Sequence, residues 1–371
     1  MSAALEPLLR GHRAVICVGT GGVGKTTTAA ALGLLAARLG RRTMVLTIDP
    51  ARQLARALGL HTLGLAGEAV DTRGLAPEGL LHAGMLDLKG AWDAFIARHA
   101  PSEALRDALY ANPFYQRLST SFAGSTEYMA IEELCRLDES RAYDLVIIDT
   151  PPSAHAIDFL RAPERLEKLL APEVSRWLLG RERPGALQAL TSAVGFAVRR
   201  LEGALGTRTM GEISAFFAAL DALFGDLAAR AERSRALLYG PGTAFVQVLA
   251  PTERELADAR ELGAALRGLG APLKAAIANR THPLPAASGG EAAVALAGLP
   301  LAPAVHAWLS STWRDASALE RTERARLDAF ARGLPAGTAW LEVPELARDA
   351  HTLDDLAAIS AVLGGAGPRR D

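Results

Sequence analysis

Only two cysteines, Cys17 and Cys135, occur in the 371 residues. Neither their number nor their spacing makes a disulfide framework or a cysteine-based zinc site, so the composition points to a reducing, cytoplasmic compartment. Lysine is nearly as scarce. Of the 40 basic residues, only Lys25, Lys89, Lys168 and Lys274 are lysines, a bias that fits a GC-rich genome. A lysine kept inside a glycine loop is therefore no accident of composition. The net charge is −1, the pI is near 6.7 and no basic run occurs, which argues against a nucleic-acid partner. No stretch approaches about 18 uncharged apolar residues, so no transmembrane segment is expected. The opening MSAALEPLLRGHR lacks the apolar core of a signal peptide. Any work at a membrane would then pass through a partner or client. With 50% hydrophobic and 22% charged residues, the chain reads as soluble and globular. Its length suits one large α/β domain with an insertion, or two domains.

The apolar pattern begins with a short β-branched run, Arg13 to Val18, which predicts a buried strand. A glycine loop follows, then a helix from Lys25 with Leu32, Leu35 and Leu39 at helical spacing, closed by Gly40. Thr43 to Ile48 predicts a second strand, so strand, helix and strand form the βαβ unit of a parallel sheet. Further strands are expected at Leu81–Leu86, Leu145–Ile148, Ala244–Leu249, Leu273–Ala278 and Ala339–Val343. Between Ala156 and Tyr239 the apolar residues repeat at helical period instead, as in Phe216, Phe217, Leu220, Leu223, Phe224 and Leu227. The expected organisation is a P-loop α/β domain, 1–155 and 240–371, carrying a helical insertion subdomain at 156–239. Pro283 to Pro303 reads as a loop with at most one short helix.

The glycine loop, Gly19-Thr20-Gly21-Gly22-Val23-Gly24-Lys25-Thr26, fits G-x-x-x-x-G-K-[ST] between a predicted strand and a predicted helix. Such glycines let backbone N–H groups turn inward around phosphate oxygens at a helix N-terminus. Lys25 is then placed for the β- and γ-phosphates of ATP and the Thr26 hydroxyl for Mg²⁺, with Gly21, Gly22, Val23, Gly24 and Thr27 completing the cradle. Asp49 and Asp149 each follow a predicted strand. The ligand crevice of a parallel sheet lies beyond the carboxyl ends of its strands. Read from the residues alone, each carboxylate serves equally as a magnesium or water partner or as the N-cap of a following helix.

GTGGVGKTT, TIDPARQL and DTPPSAH, in this order and spacing, resemble the arsenical-pump ATPase family, which includes the ATPases that target tail-anchored membrane proteins. GSTEYMAIEEL and VPELARDAHTLDDL extend the resemblance over most of the chain. The resemblance implies that Asp49 orients the attacking water and that Asp149 holds Mg²⁺ through water. It also implies that Ser153 and His155 belong to the second switch segment, with His155 in a coupling role, and that Asn279 reads the adenine base. As a residue alone, Asn279 is equally a turn former after a strand.

The departures from the family are as informative. Thr20 stands where the family carries a signature lysine that reaches the partner's phosphates across a dimer. A cation acting in trans is worth ~10³–10⁵ in turnover by analogy with arginine fingers. Two scattered thiols cannot form a three-thiolate arsenic site in one subunit. The zinc-clasp Cys-x-x-Cys is absent, and Met210 is the one methionine of the expected helical insertion. Asp158 replaces a basic residue of the family pattern. The expected function is an ATP-hydrolysing switch that acts, as a homodimer or with a paralogous ATPase, on a membrane-protein client. The alternative is a nucleotide-binding assembly subunit with weak hydrolysis, completed by a lysine-bearing paralogue. A DNA-partitioning ATPase and a small-molecule kinase fit the charge and motifs less well.

Overall fold

The computed structural model of the protein describes residues 5–49, 53–61, 63–65, 67–121, 125–151, 224–283 and 298–365, with scattered positions from 157 to 216. Eight strands form one sheet in the order β3-β4-β2-β5-β1-β6-β7-β8. They are β1 (Ala14–Val18), β2 (Thr43–Thr47), β3 (Glu68–Ala69), β4 (Leu81–Met85), β5 (Leu145–Asp149), β6 (Thr243–Leu249), β7 (Leu273–Thr281) and β8 (Ala339–Pro344). All neighbours run parallel except the two-residue β3, which pairs antiparallel to β4. This is the expected P-loop α/β architecture. The central strands are continuous apolar runs because helices cover both faces: β1, β2, β5 and β6 are buried at every position.

On one face lie helix α1 (Glu6–Gly11), helix α2 (Lys25–Arg38) and the C-terminal helix at Leu353–Leu363. Helix α2 is short-chained, KTTTAAALGLLAAR, and buried along almost its whole length, because it is wedged between the sheet and the C-terminal helix. The latter starts with a capping box, Thr352 and Asp355 satisfying each other's backbone N–H groups. Its last turn accepts a hydrogen bond from the Leu5 N–H, which ties the two ends of the described chain together. The other face is covered by the helices Leu88–His99, Ser125–Ser140, Phe224–Tyr239 and Glu253–Gly268, with a long helix, Pro303–Arg332, beyond them.

Each of the seven expected strands forms, within two residues at either end except at the far end of β7. That strand continues to Thr281, so Asn279 sits inside it, at a register irregularity where Arg280 takes φ 59°. Neither β3 nor the 30-residue helix at Pro303–Arg332 is anticipated by the apolar pattern. The first is too short for a period. The second buries only Glu323, Leu327 and Phe330, too few for an apolar stripe. The proline- and glycine-rich loop expected at Pro283–Pro303 lies mostly outside the described residues, and so does the helical insertion expected at 156–239, of which Phe224–Tyr239 is helix.

Gly33 sets how closely α2 approaches the sheet, since a methyl group there would collide with the Val45 side chain of β2. Gly33→Ala gains helix propensity but forces apart two packed elements. It is expected to lower stability by about 1–2 kcal/mol net, read as a lower urea midpoint at unchanged slope.

Candidate functional site

The carboxyl ends of β1, β2 and β5 meet at one point, and the phosphate loop crosses over it. β1 delivers the chain into Gly19, which packs so tightly on β6 that a side chain there would strike the Val248 carbonyl oxygen. At the other end of the loop Gly24 takes φ 88° as the N-cap of α2, a left-handed conformation that favours glycine. A Cβ at Gly24 would also collide with the Asn279 amide. The loop is therefore fixed from below by a strand carbonyl and from the side by a side chain of β7.

Lys25, the first residue of α2, is buried and donates from Nζ to the Thr20 carbonyl oxygen at 2.7 Å, folding back across the loop it follows. Burial lowers its pKa, opposed by the nearby charges of Asp149 and Asp49. Asp149 is the last residue of β5, paired in register with Thr47 of β2 and Cys17 of β1. Its Oδ2 accepts from the Thr26 hydroxyl at 2.7 Å and from the Thr47 hydroxyl at 3.0 Å. Its Oδ1 is buried with no hydrogen-bond partner. Burial pushes the Asp149 carboxyl up to about 6, while the two threonine hydroxyls and Lys25 pull it down. An unpartnered carboxylate oxygen beside a threonine hydroxyl at the mouth of a phosphate loop is an all-oxygen donor set, which suits Mg²⁺. Thr26 and Asp149 would hold the ion, which would offset charge developing on the phosphate.

Asp49 lies two residues past β2, half buried, its backbone N–H bonded to Thr47 Oγ1 at 3.3 Å. Its charge is close enough to act on both Lys25 and Asp149. Thr20 is buried at 8% exposure, and its Oγ1 has no partner. Asn279 donates from Nδ2 to the Val23 carbonyl oxygen at 2.8 Å. A cleft opens beside it, lined by Gly24 and Thr27 on one side and by Arg280, Glu345, Arg348 and Asp349 on the other. The structure thus gathers Lys25, Thr26, Asp49 and Asp149 at one point and Asn279 with Thr27 at an adjoining cleft. Ser153 and His155 lie outside the described residues.

Two contributors escaped the motifs. Thr47 secures Asp149, a role visible only once β2 and β5 are known to be neighbours in this register. His282, just past β7, donates its backbone N–H to Glu323 Oε1 at 2.9 Å, and its ring nitrogens meet Glu323 and Glu345 at 2.9 and 2.8 Å. The two carboxylates, Glu323 foremost, raise its pKa, and the triad joins the long helix to the loop that lines the cleft.

Residues 12–289 match the family model described as anion-transporting ATPase. The chain is 34% identical over 156 residues to ATPase GET3 of Malassezia globosa, covering 42% of this chain and 44% of that protein. It is 31% identical over 198 residues to ATPase GET3 of Podospora anserina, covering 52% and 56%. An uncharacterized protein of Streptomyces coelicolor is 32% identical over 272 residues, covering 73% and 63%. The chain spans about half the length of the GET3 proteins it matches.

The Asp149 carboxyl titrates higher in the folded protein than in the unfolded chain, so the folded state holds its proton longer. Metal-free protein should lose stability relative to Asp149→Asn as pH rises from about 4 to about 6, and hold a constant deficit above that. Parallel melting curves of the two proteins in chelator across that range test this, and coincident curves contradict it.

Proposed function

This chain belongs to the anion-transporting ATPase family, and on that premise we propose that it is a magnesium-dependent ATP-hydrolysing switch. The observation that carries the reading is the Asp149 carboxylate. It is held by Thr26 and Thr47 on one oxygen and bare on the other, directly beneath the phosphate loop.

In this reading Lys25 leaves the Thr20 carbonyl and moves its ammonium onto the β- and γ-phosphate oxygens, guided by the backbone N–H groups of Gly21 to Thr27. Thr26 and Asp149 would be the magnesium ligands, Asp149 through water. Asp49, on the open side of the same point, orients the water that attacks the γ-phosphorus as the bond to the β–γ bridging oxygen breaks, ADP leaving and the water's proton passing to the released phosphate. The Asn279 amide, already committed through Nδ2 to the loop, would turn its oxygen to the exocyclic amine of adenine, and the cleft beside Thr27 would receive the base. Residues 1–155 and 240–371 form the ATPase domain and 156–239 the helical subdomain that answers its nucleotide state. A dimer acting in the cytoplasm on a membrane-protein client is supported by the family resemblance. Among the described residues, no helix is long and apolar enough to cross a membrane.

The second reading rests on Thr20. A buried, neutral side chain at this position brings no cation across a dimer, which favours a nucleotide-binding subunit whose hydrolysis is completed by a lysine-bearing paralogue.

ATP turnover and mass, with and without nucleotide, separate the two. The switch reading expects turnover that Lys25→Ala abolishes, an ATP-dependent dimer, and a gain of at least ~10-fold in Thr20→Lys if the trans cation is the missing element. Tight ATP binding with neither turnover nor dimerisation would leave the subunit reading standing.

A further inference from the structure

We propose that a cavity on the face of the sheet opposite α2 is a binding site for a small hydroxylated organic acid. The cavity has a volume of about 190 Å³. It lies between β6, the helix Glu253–Gly268 and the end of the long helix. Leu273, Phe330 and Leu334 give it an apolar wall, and Arg260 and Arg267, both exposed, complete the lining.

Its floor is Gln247. In the run Thr243–Leu249 this is the one amide among side chains that are otherwise apolar from Ala244 onward, and it is 1% exposed. Val246 joins the core on the α2 side of the sheet, while Phe245 and Leu249 join cores on the other, which places Gln247 away from the nucleotide cleft. The Nε2 donates to the Ala259 carbonyl oxygen at 2.6 Å, which fixes the direction of the amide and aims Oε1 the other way. Oε1 has no hydrogen-bond partner. A buried acceptor left bare is costly, and a fold that keeps one in an otherwise apolar layer has a use for it.

Gly263 shows where the polar atoms converge. A Cβ at this buried glycine would lie 3.6 Å from Gln247 Oε1 and 3.7 Å from Arg267 Nη1, so an acceptor and a cationic donor face the same small space. The Arg260 guanidinium lies over the Phe330 ring, 5.6 Å from its centroid, and both residues line the cavity. The occupant these groups fit has a hydroxyl to donate to Gln247, a carboxylate for the arginines and a flat apolar body for Phe330 and Leu334. A single-ring hydroxy acid has this chemistry and this size.

The test is calorimetric titration of the full, nucleotide-free chain, so that it does not depend on the ATPase reading. The probes are para-hydroxybenzoate and para-hydroxyphenylacetate, with benzoate and para-hydroxybenzyl alcohol as controls lacking the hydroxyl or the carboxylate. At least one hydroxy acid should bind at submillimolar concentration, with each control about 10-fold weaker. Gln247→Met should weaken the hydroxy acid about 10-fold and leave benzoate unchanged, while Arg267→Gln should weaken both. Gln247→Met removes a bare acceptor and is expected to melt at or above the wild-type temperature. The surface change Arg267→Gln carries the test should that variant fail to fold. No heat from either hydroxy acid would mean that water alone fills the cavity and would overturn the proposal. So would equal affinity for acid and alcohol, or the same hydroxy-acid affinity in whichever of the two variants folds.

Discussion

Asp149 is a carboxylate taken out of water at the junction of three parallel strands, and the site is arranged around the cost of keeping it there. Burial alone would drive it to the protonated form. The hydroxyls of Thr26 and Thr47 and the nearby ammonium of Lys25 oppose that drive. Those three groups come from the start of α2 and the end of β2, so one carboxylate ties the end of β5 to the end of β2 and to the start of α2. The compensation is incomplete, since Oδ1 stays bare. A divalent cation would complete it.

The phosphate loop needs two further supports, and both come from strands late in the sequence. Val248 of β6 presses its carbonyl against Gly19, and Asn279 of β7 donates to Val23. Neither support is local, which is why a loop that looks self-sufficient as a motif depends on residues more than 200 positions away. The far wall of the cleft is the loop after β8, the strand that pairs with β7.

Much of this was legible in the sequence, for stated physical reasons. Strands buried on both faces must be continuous apolar runs, so the core of the sheet could be located from β-branched clusters such as Ala14–Val18 and Leu145–Asp149. The loop could be read because its glycines are demanded by backbone geometry. Thr47 could not, because a threonine at a strand end carries no signal until the neighbouring strand is known. The place of Asn279 was only half legible: resemblance singled it out, but its bond to the phosphate loop depends on β7 running on through a bulge to Thr281. Pro303–Arg332 escaped because its less exposed face mixes apolar residues such as Leu309, Trp313, Leu327 and Phe330 with polar ones such as Ser310, Ser317, Glu320 and Glu323, so the apolar period is broken. His282 and Gln247 escaped for a related reason, since their partners lie on elements remote in the chain.

The helix Pro303–Arg332 spans about 45 Å, at about 1.5 Å per residue. It is pinned by Glu323 through His282 to the rim of the cleft and by Arg324 to Glu342 of β8 at 2.7 Å. These pins sit two-thirds of the way along, leaving an arm of about 30 Å toward Pro303. Mechanically this is a pointer with its pivot at the rim of the cleft beside the phosphate loop. A tilt too slight to break any hydrogen bond at the pivot is multiplied along the arm. Trp308, 63% exposed near the far end, would sweep ångströms for each small rotation of the cleft wall.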